Sequence, residues 1–132
     1  MDDYLEQILH LIETKGYARA VDISKNLGIS QASVTNMLRR LDTEGLVNHV
    51  KYRGTTLTDE GHRIARAIIE RHETLTRFLR LFSIDEQTIY QDVEGMEHHV
   101  SRPTLNVISA LADALEADPE LLEKIRGIKD AF

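Results

Sequence analysis

Leu27-Gly28-Ile29-Ser30-Gln31-Ala32-Ser33-Val34-Thr35-Asn36-Met37-Leu38-Arg39-Arg40-Leu41 decides how the N-terminal half reads. Gly28 is free to take the positive φ that a tight turn needs. Ser30 is a good N-cap for a helix over about 31–44. In that helix Val34, Met37, Leu38 and Leu41 recur at helical spacing and form one apolar stripe. Ala32, Ser33, Thr35, Asn36, Arg39 and Arg40 lie on the opposite arc. A short helix over about 19–26 precedes the turn, with Ala20, Ile23 and Leu27 inward. A helix, a glycine turn and a capped helix with a polar, basic outer face make a helix-turn-helix.

The flanks extend this reading. Gly45 stops the second helix, and Leu46–Val50 and Thr55–Leu57 read as two short strands around Lys51-Tyr52-Arg53-Gly54. A β-hairpin in this place is a wing, whose Lys51 and Arg53 would reach phosphates or the minor groove. On the N-terminal side a helix over 2–14 carries Leu5, Ile8, Leu9, Leu11 and Ile12 as its apolar stripe, and Gly16 ends it. Beyond the hairpin, Thr58 caps a long helix reaching about Phe82. Asp85 starts another to about His99, Ser101-Arg102-Pro103 opens a third to about Glu116, and Pro119 begins a last one to about Asp130. The expected fold is mainly α: a winged helix-turn-helix DNA-binding domain over 1–70, then a helical domain over 71–132.

Composition narrows the function classes. A chain of 132 residues with 42% hydrophobic content is globular, not disordered. No apolar run approaches the ~20 residues that span a bilayer. The start, Met1-Asp2-Asp3-Tyr4, is acidic and unlike a secretion signal, so the expected location is cytoplasmic, with no membrane partner. The chain has no cysteine, so any metal must sit on His, Asp and Glu. The net charge of −6 argues against a generic DNA binder, yet residues 16–57 hold six Lys/Arg against three acids. Residues 58–132 hold nine against fifteen. The basic part is confined to the expected reader, where phosphates would be met.

Glu94-Gly95-Met96-Glu97-His98-His99 carries the second chemistry. On a helix, carboxylates three apart face the same way, and an imidazole four after the first joins them. Asp3 and Glu6 repeat the i, i+3 acidic spacing near the N-terminus, and His72 lies within the long helix. Together Asp3, Glu6, His72, Glu94, Glu97 and His98 offer four carboxylates and two imidazoles. Hard oxygen donors with some imidazole suit a divalent ion such as Mn(II), which takes about six donors. This set satisfies two ions sharing carboxylates better than one. His99, about 100° around the helix from His98, fits a supporting role. Metal ligands flanking a DNA reader point to a metal-sensing repressor more than to an enzyme.

The sequence resembles the manganese-sensing branch of the diphtheria-toxin-repressor (iron-dependent regulator) family. The resemblance runs from Asp3-Tyr4-Leu5-Glu6-Gln7-Ile8 through Lys15-Gly16-Tyr17-Ala18-Arg19, Ser33-Val34-Thr35, Tyr52-Arg53-Gly54, Leu57-Thr58 and Arg71-His72-Glu73 to Asp92-Val93-Glu94-Gly95-Met96-Glu97-His98-His99. It implies a binuclear site on the same six residues, with Glu94 and Glu97 touching both ions, Asp3 and His98 on one, and Glu6 and His72 on the other. It also implies a homodimer built by the C-terminal helices, which makes 71–132 a metal-binding and dimerisation domain. Iron-type members carry a thioether at the position of Asp3 and a thiol at that of Glu94. Carboxylates there shift the preference toward Mn(II). With the sequence ending at Phe132, the SH3-like third domain of iron-type members is not expected, which also favours the manganese branch.

The expected function is repression of manganese-uptake genes, with Mn(II) as corepressor, two ions per subunit, and Cd(II) or other divalent ions as substitutes. Ser33, Thr35, Asn36, Arg39, Arg40, Lys51 and Arg53 are the expected contacts to double-stranded operator DNA, Asn36 and Arg39 for bases or backbone. Protons compete for the imidazoles, so metal affinity should fall at acid pH. Two alternatives stand beside this reading. A carboxylate-bridged dimetal enzyme would use Glu-x-x-His on two helices; the sequence has Glu94-x-x-Glu97-His98 once and no Glu-x-x-His to pair with it. A metal-independent winged-helix regulator would leave the acids incidental.

Overall fold

The computed structural model describes residues 2–50 and 54–132. In order these form α1 (Asp2–Lys15), α2 (Ala20–Leu27), α3 (Gln31–Thr43), β1 (Val47–Val50), β2 (Gly54–Leu57), α4 (Asp59–Arg80), α5 (Glu86–Met96), α6 (Arg102–Glu116) and α7 (Pro119–Asp130). The mainly α class and the small hairpin agree with the sequence reading. Lys51, Tyr52 and Arg53, the expected wing tip, lie outside the described residues. The chain divides into two compact units, Met1–Ile69 and Glu70–Phe132.

The first unit is built from local signals. α2 ends where Gly28 turns left-handed at φ 67°, its N–H returning to Ser24 O. Ser30 then caps α3, its hydroxyl oxygen accepting the Ser33 N–H at 3.2 Å. Val34, Leu38 and Leu41 point inward with no or almost no exposure, joining Leu5, Ile8, Leu9 and Ile23 in one core. β1 and β2 pair antiparallel from Val47 opposite Leu57 to Val50 opposite Gly54. A bridge that periodicity does not reveal extends this sheet: Ala18 and Thr55 exchange both backbone hydrogen bonds, at 3.0 and 2.7 Å. Thr55 is fully buried, and its hydroxyl meets His49 Nδ1 at 2.8 Å.

Thr58 joins the hairpin to α4. Its hydroxyl donates to Gly45 O at 2.7 Å and accepts the Gly61 N–H at 3.1 Å, while its own N–H donates to Leu46 O at 3.1 Å. The Leu46 carbonyl therefore lies hard against the first turn of α4. A Cβ on Gly61 would stand 1.9 Å from that oxygen and 2.9 Å from its carbon. Gly61 is thus required by close backbone approach and not by a left-handed φ.

The second unit packs Leu75 of α4, Ile89 and Val93 of α5, and Leu105 of α6 into a smaller core. Arg77 ties α4 to α6, donating to Asp113 at 3.0 Å and Glu116 at 3.2 Å. Asp85 caps α5: its carboxylate accepts the Thr88 hydroxyl at 2.7 Å and the Thr88 N–H at 2.9 Å. Those bonds, the hydroxyl first, hold the Asp85 carboxyl below the usual carboxylate range.

Two helices end earlier than their periodicity suggests. α4 stops at Arg80 and not near Phe82, because Leu81 and Phe82 tighten onto Phe78 O and Leu79 O and Ser83 takes φ 58°. The turned-out Leu81 carbonyl accepts from Arg126 at 2.7 Å. α5 stops at Met96 and not at His99. Ser101 must be extended (φ −73°, ψ 163°) to cap α6, so the chain leaves helical geometry over the residues before it. Among the described residues no helix is long and apolar enough to cross a membrane.

Gly61→Ala is expected to cost about 3 kcal/mol, the upper end for an overpacked site, because backbone cannot yield as a side chain does. Gly127→Ala in α7, where an added Cβ meets nothing within 4 Å, is expected to stabilise by about 1 kcal/mol. Urea unfolding of both variants tests this contrast, and a neutral Gly61→Ala would refute the close approach.

Candidate metal centre and nucleic-acid interface

Three of the expected metal-binding residues meet in the second unit. His72 stands on α4, Glu94 in the last turn of α5, and Glu97 at the α5 C-cap. One donor atom from each lies within 4.8 Å of the other two. His72 Nδ1 is 2.9 Å from Glu97 Oε2, and their side chains are 35% and 16% exposed. The group is therefore part-buried and open to solvent on the Glu94 side. Arg71, one residue before His72, donates to the Glu97 backbone carbonyl at 3.1 Å.

The donors fit a divalent cation. Two carboxylates and an imidazole, with no sulfur, form a hard-to-borderline set. Donors about 2.1 Å from one ion stand no more than about 4.2 Å apart, so a small rotamer adjustment closes this group on a cation. Close carboxylates repel, and a cation relieves the repulsion.

The remaining expected ligands sit as follows. Asp3 is exposed and Glu6 half-buried on α1, in the first unit. His98 and His99 are exposed in the turn after α5. The helix that was expected to align His98 with Glu94 and Glu97 has ended by then, and His98 is not part of the three-residue cluster. Arg71 was not among the sequence candidates, since its spacing from the acids carries no signal. Only the fold brings it to Glu97.

The outer face of α3 forms the candidate nucleic-acid surface. Ser33, Asn36, Arg39 and Arg40 are exposed, and Thr35 is half-buried. The Ser33 hydroxyl oxygen accepts from the Ser30 hydroxyl at 2.9 Å. Arg40 pairs with Glu44 at 3.4 Å, an exposed contact of the kind that phosphate readily displaces. Arg39 makes no ion pair among the described residues. Lys51 and Arg53 of the wing lie outside the described residues.

Residues 1–55 match the iron dependent repressor, N-terminal DNA binding domain, and residues 58–126 match the iron dependent repressor, metal binding and dimerisation domain. The chain is 43% identical over 129 residues to the HTH-type transcriptional regulator MntR of Lysinibacillus sphaericus (strain C3-41), covering 98% of this chain and 93% of that protein. It is similar to a manganese-dependent transcriptional repressor solved in complex with manganese, at 28% identity and TM-score 0.68, over 84% of this chain and 51% of that one. ScaR with bound Cd(II) is similar at 26% identity and TM-score 0.74, over 85% and 53%. The chain thus spans about half the length of these two solved structures.

A divalent metal at about a hundred times its Kd is expected to add about 2.7 kcal/mol to the unfolding free energy. The triple variant His72→Ala, Glu94→Gln, Glu97→Gln is expected to lose that gain. Thermal melts with and without metal decide it, and equal stabilisation of both proteins would place the metal elsewhere.

Proposed function

We propose that this chain, which belongs to the iron-dependent repressor family, is a manganese-responsive repressor that binds operator DNA and silences manganese-uptake genes when loaded with metal. The family consists of metal-dependent, DNA-binding repressors of transcription. The repressor family is non-enzymatic, which sets aside the dimetal-enzyme alternative.

The observation that carries the manganese reading is the chemistry of the cluster. His72, Glu94 and Glu97 supply oxygen and imidazole donors within 4.8 Å, in a chain without cysteine. Hard donors of this kind are the ones Mn(II) prefers. The similar repressor solved with manganese supports the same assignment, and the one solved with Cd(II) supports Cd(II) as a substitute. We assign Asp3, Glu6 and His98 as the remaining ligands and two ions per subunit. These assignments rest on donor chemistry and on the family resemblance.

Bound Mn(II) would supply positive charge that lets several carboxylates share one centre. Glu94 and Glu97 at the end of α5, and His72 on α4, would hold it. Asp3 and Glu6 belong to the DNA-reading half, so the proposed ligand set links metal capture to DNA reading. On α3, Arg39 and Asn36 are assigned to bases or backbone, with Ser33, Thr35 and Arg40 beside them. Lys51 and Arg53 of the wing are assigned to phosphates.

We further assign a homodimer. The second unit leaves large apolar side chains in water, with Tyr90 63%, Val107 59% and Leu111 47% exposed. A second copy of the chain would cover them. A two-fold dimer must hold its recognition helices about 34 Å apart, one turn of duplex, to read a palindrome. The proposed site of action is the cytoplasm.

The test is a titration against a labelled duplex selected from a random library in the presence of Mn(II). At fixed ionic strength, Mn(II) is expected to tighten binding by about 5- to 150-fold. Affinity unchanged by a chelator would contradict the corepressor role and favour a metal-independent regulator.

A further inference from the structure

We propose that Arg71 is a positioning residue of the metal centre, acting through Glu97; this rests on the metal-binding role proposed above. α5 ends at Met96, so no further helical turn holds Glu97. The Glu97 N–H still bonds to Val93 O at 2.9 Å, but its carbonyl has left the helical ladder. The next main-chain donors on offer, the N–H groups of His99 and Val100, both turn back to Met96 O, at 2.9 and 3.1 Å. Arg71 Nη1 takes the Glu97 carbonyl instead, at 3.1 Å. One residue along α4, His72 Nδ1 meets the Glu97 carboxylate at 2.9 Å. Two neighbours on one helix therefore grip the same residue, one by its main chain and one by its side chain.

The grip is well matched to its target. Carbonyls at a helix C-terminus lack partners and carry the negative end of the macrodipole, which a guanidinium satisfies on both counts. Arg71 enters no ion pair among the described residues, so its charge is not committed to a carboxylate that the metal needs. Without this hydrogen bond the Glu97 carbonyl would lose its partner, and the residue that carries a metal donor would keep only one of its two ties to α4.

The sign of the effect separates this role from two others. A bystander cation near the centre repels Mn(II), and removing it would tighten binding. A purely structural tie lowers stability without singling out the metal. Arg77 supplies that comparison: it sits on the same helix and in the same unit, but it binds Asp113 and Glu116 on α6.

The experiment measures Mn(II) affinity of the full chain by competition with a fluorescent chelator, alongside the unfolding midpoint of the metal-free proteins. Arg71→Met is expected to weaken Mn(II) binding by about 10- to 100-fold, the usual effect of losing a group that orients a ligand. Its metal-free midpoint is expected to move little. Arg71→Lys, which keeps charge and a donor on a shorter reach, is expected to recover part of the affinity. Arg77→Met is expected to lower the midpoint and bind Mn(II) as the wild type does. Binding by Arg71→Met as tight as wild type, or tighter, overturns the positioning role alone. An equal loss in Arg77→Met overturns it too, because affinity then merely follows stability. A wild-type chain with no Mn(II) affinity overturns both this role and the proposed function.

Discussion

The 2.9 Å contact between His72 and Glu97 is the interaction on which the proposed metal centre depends. It joins α4 to the C-cap of α5, where the Glu97 N–H still bonds to Val93 O but no further helical turn follows. Glu94, one turn earlier on α5, brings a second carboxylate to the same spot. A helix end is normally a weak place to build a ligand site, since its backbone frays. Here the burial of Val93 in the core just before it and the Ser101 cap just after it hold the segment from both sides.

The first unit obeys a different constraint, close backbone approach. The Leu46 carbonyl sits where only a glycine lets α4 begin, and Thr58 bonds to both Gly45 and Gly61 across that junction. Ala18 pairs with Thr55 from the other side of the hairpin. Together these contacts anchor the hairpin strands to the segment between α1 and α2, to the turn after α3 and to the start of α4. The core beneath it is aliphatic, from Leu5 and Ile8 to Val34 and Leu38, and tolerates little change in volume.

Much of this was legible in the sequence because the signals are local. Ser30 and Asp85 announce caps through their side-chain oxygens, and Gly28 and Gly45 announce turns through the positive φ open to a residue with no side chain. The apolar stripe of α3 announces its buried face. What escaped reading depends on contacts from afar. The acidic and imidazole spacing through His98 looks helical, yet α5 ends at Met96 and residues 97–99 form a turn before the Ser101 cap. Gly61 reads as an ordinary helix-weakening glycine until the Leu46 carbonyl appears above it. Arg71 is one of nine basic residues after Thr58, and nothing nearby marks it. The donor types of the candidate site were legible; the meeting of His72 with Glu94 and Glu97 is a property of the fold.

Anomalous scattering at the manganese edge, from crystals of the full chain grown with Mn(II), tests the central claim most directly. The account requires an anomalous peak in contact with His72, Glu94 and Glu97. A map with full protein density and no peak at those three side chains would contradict it.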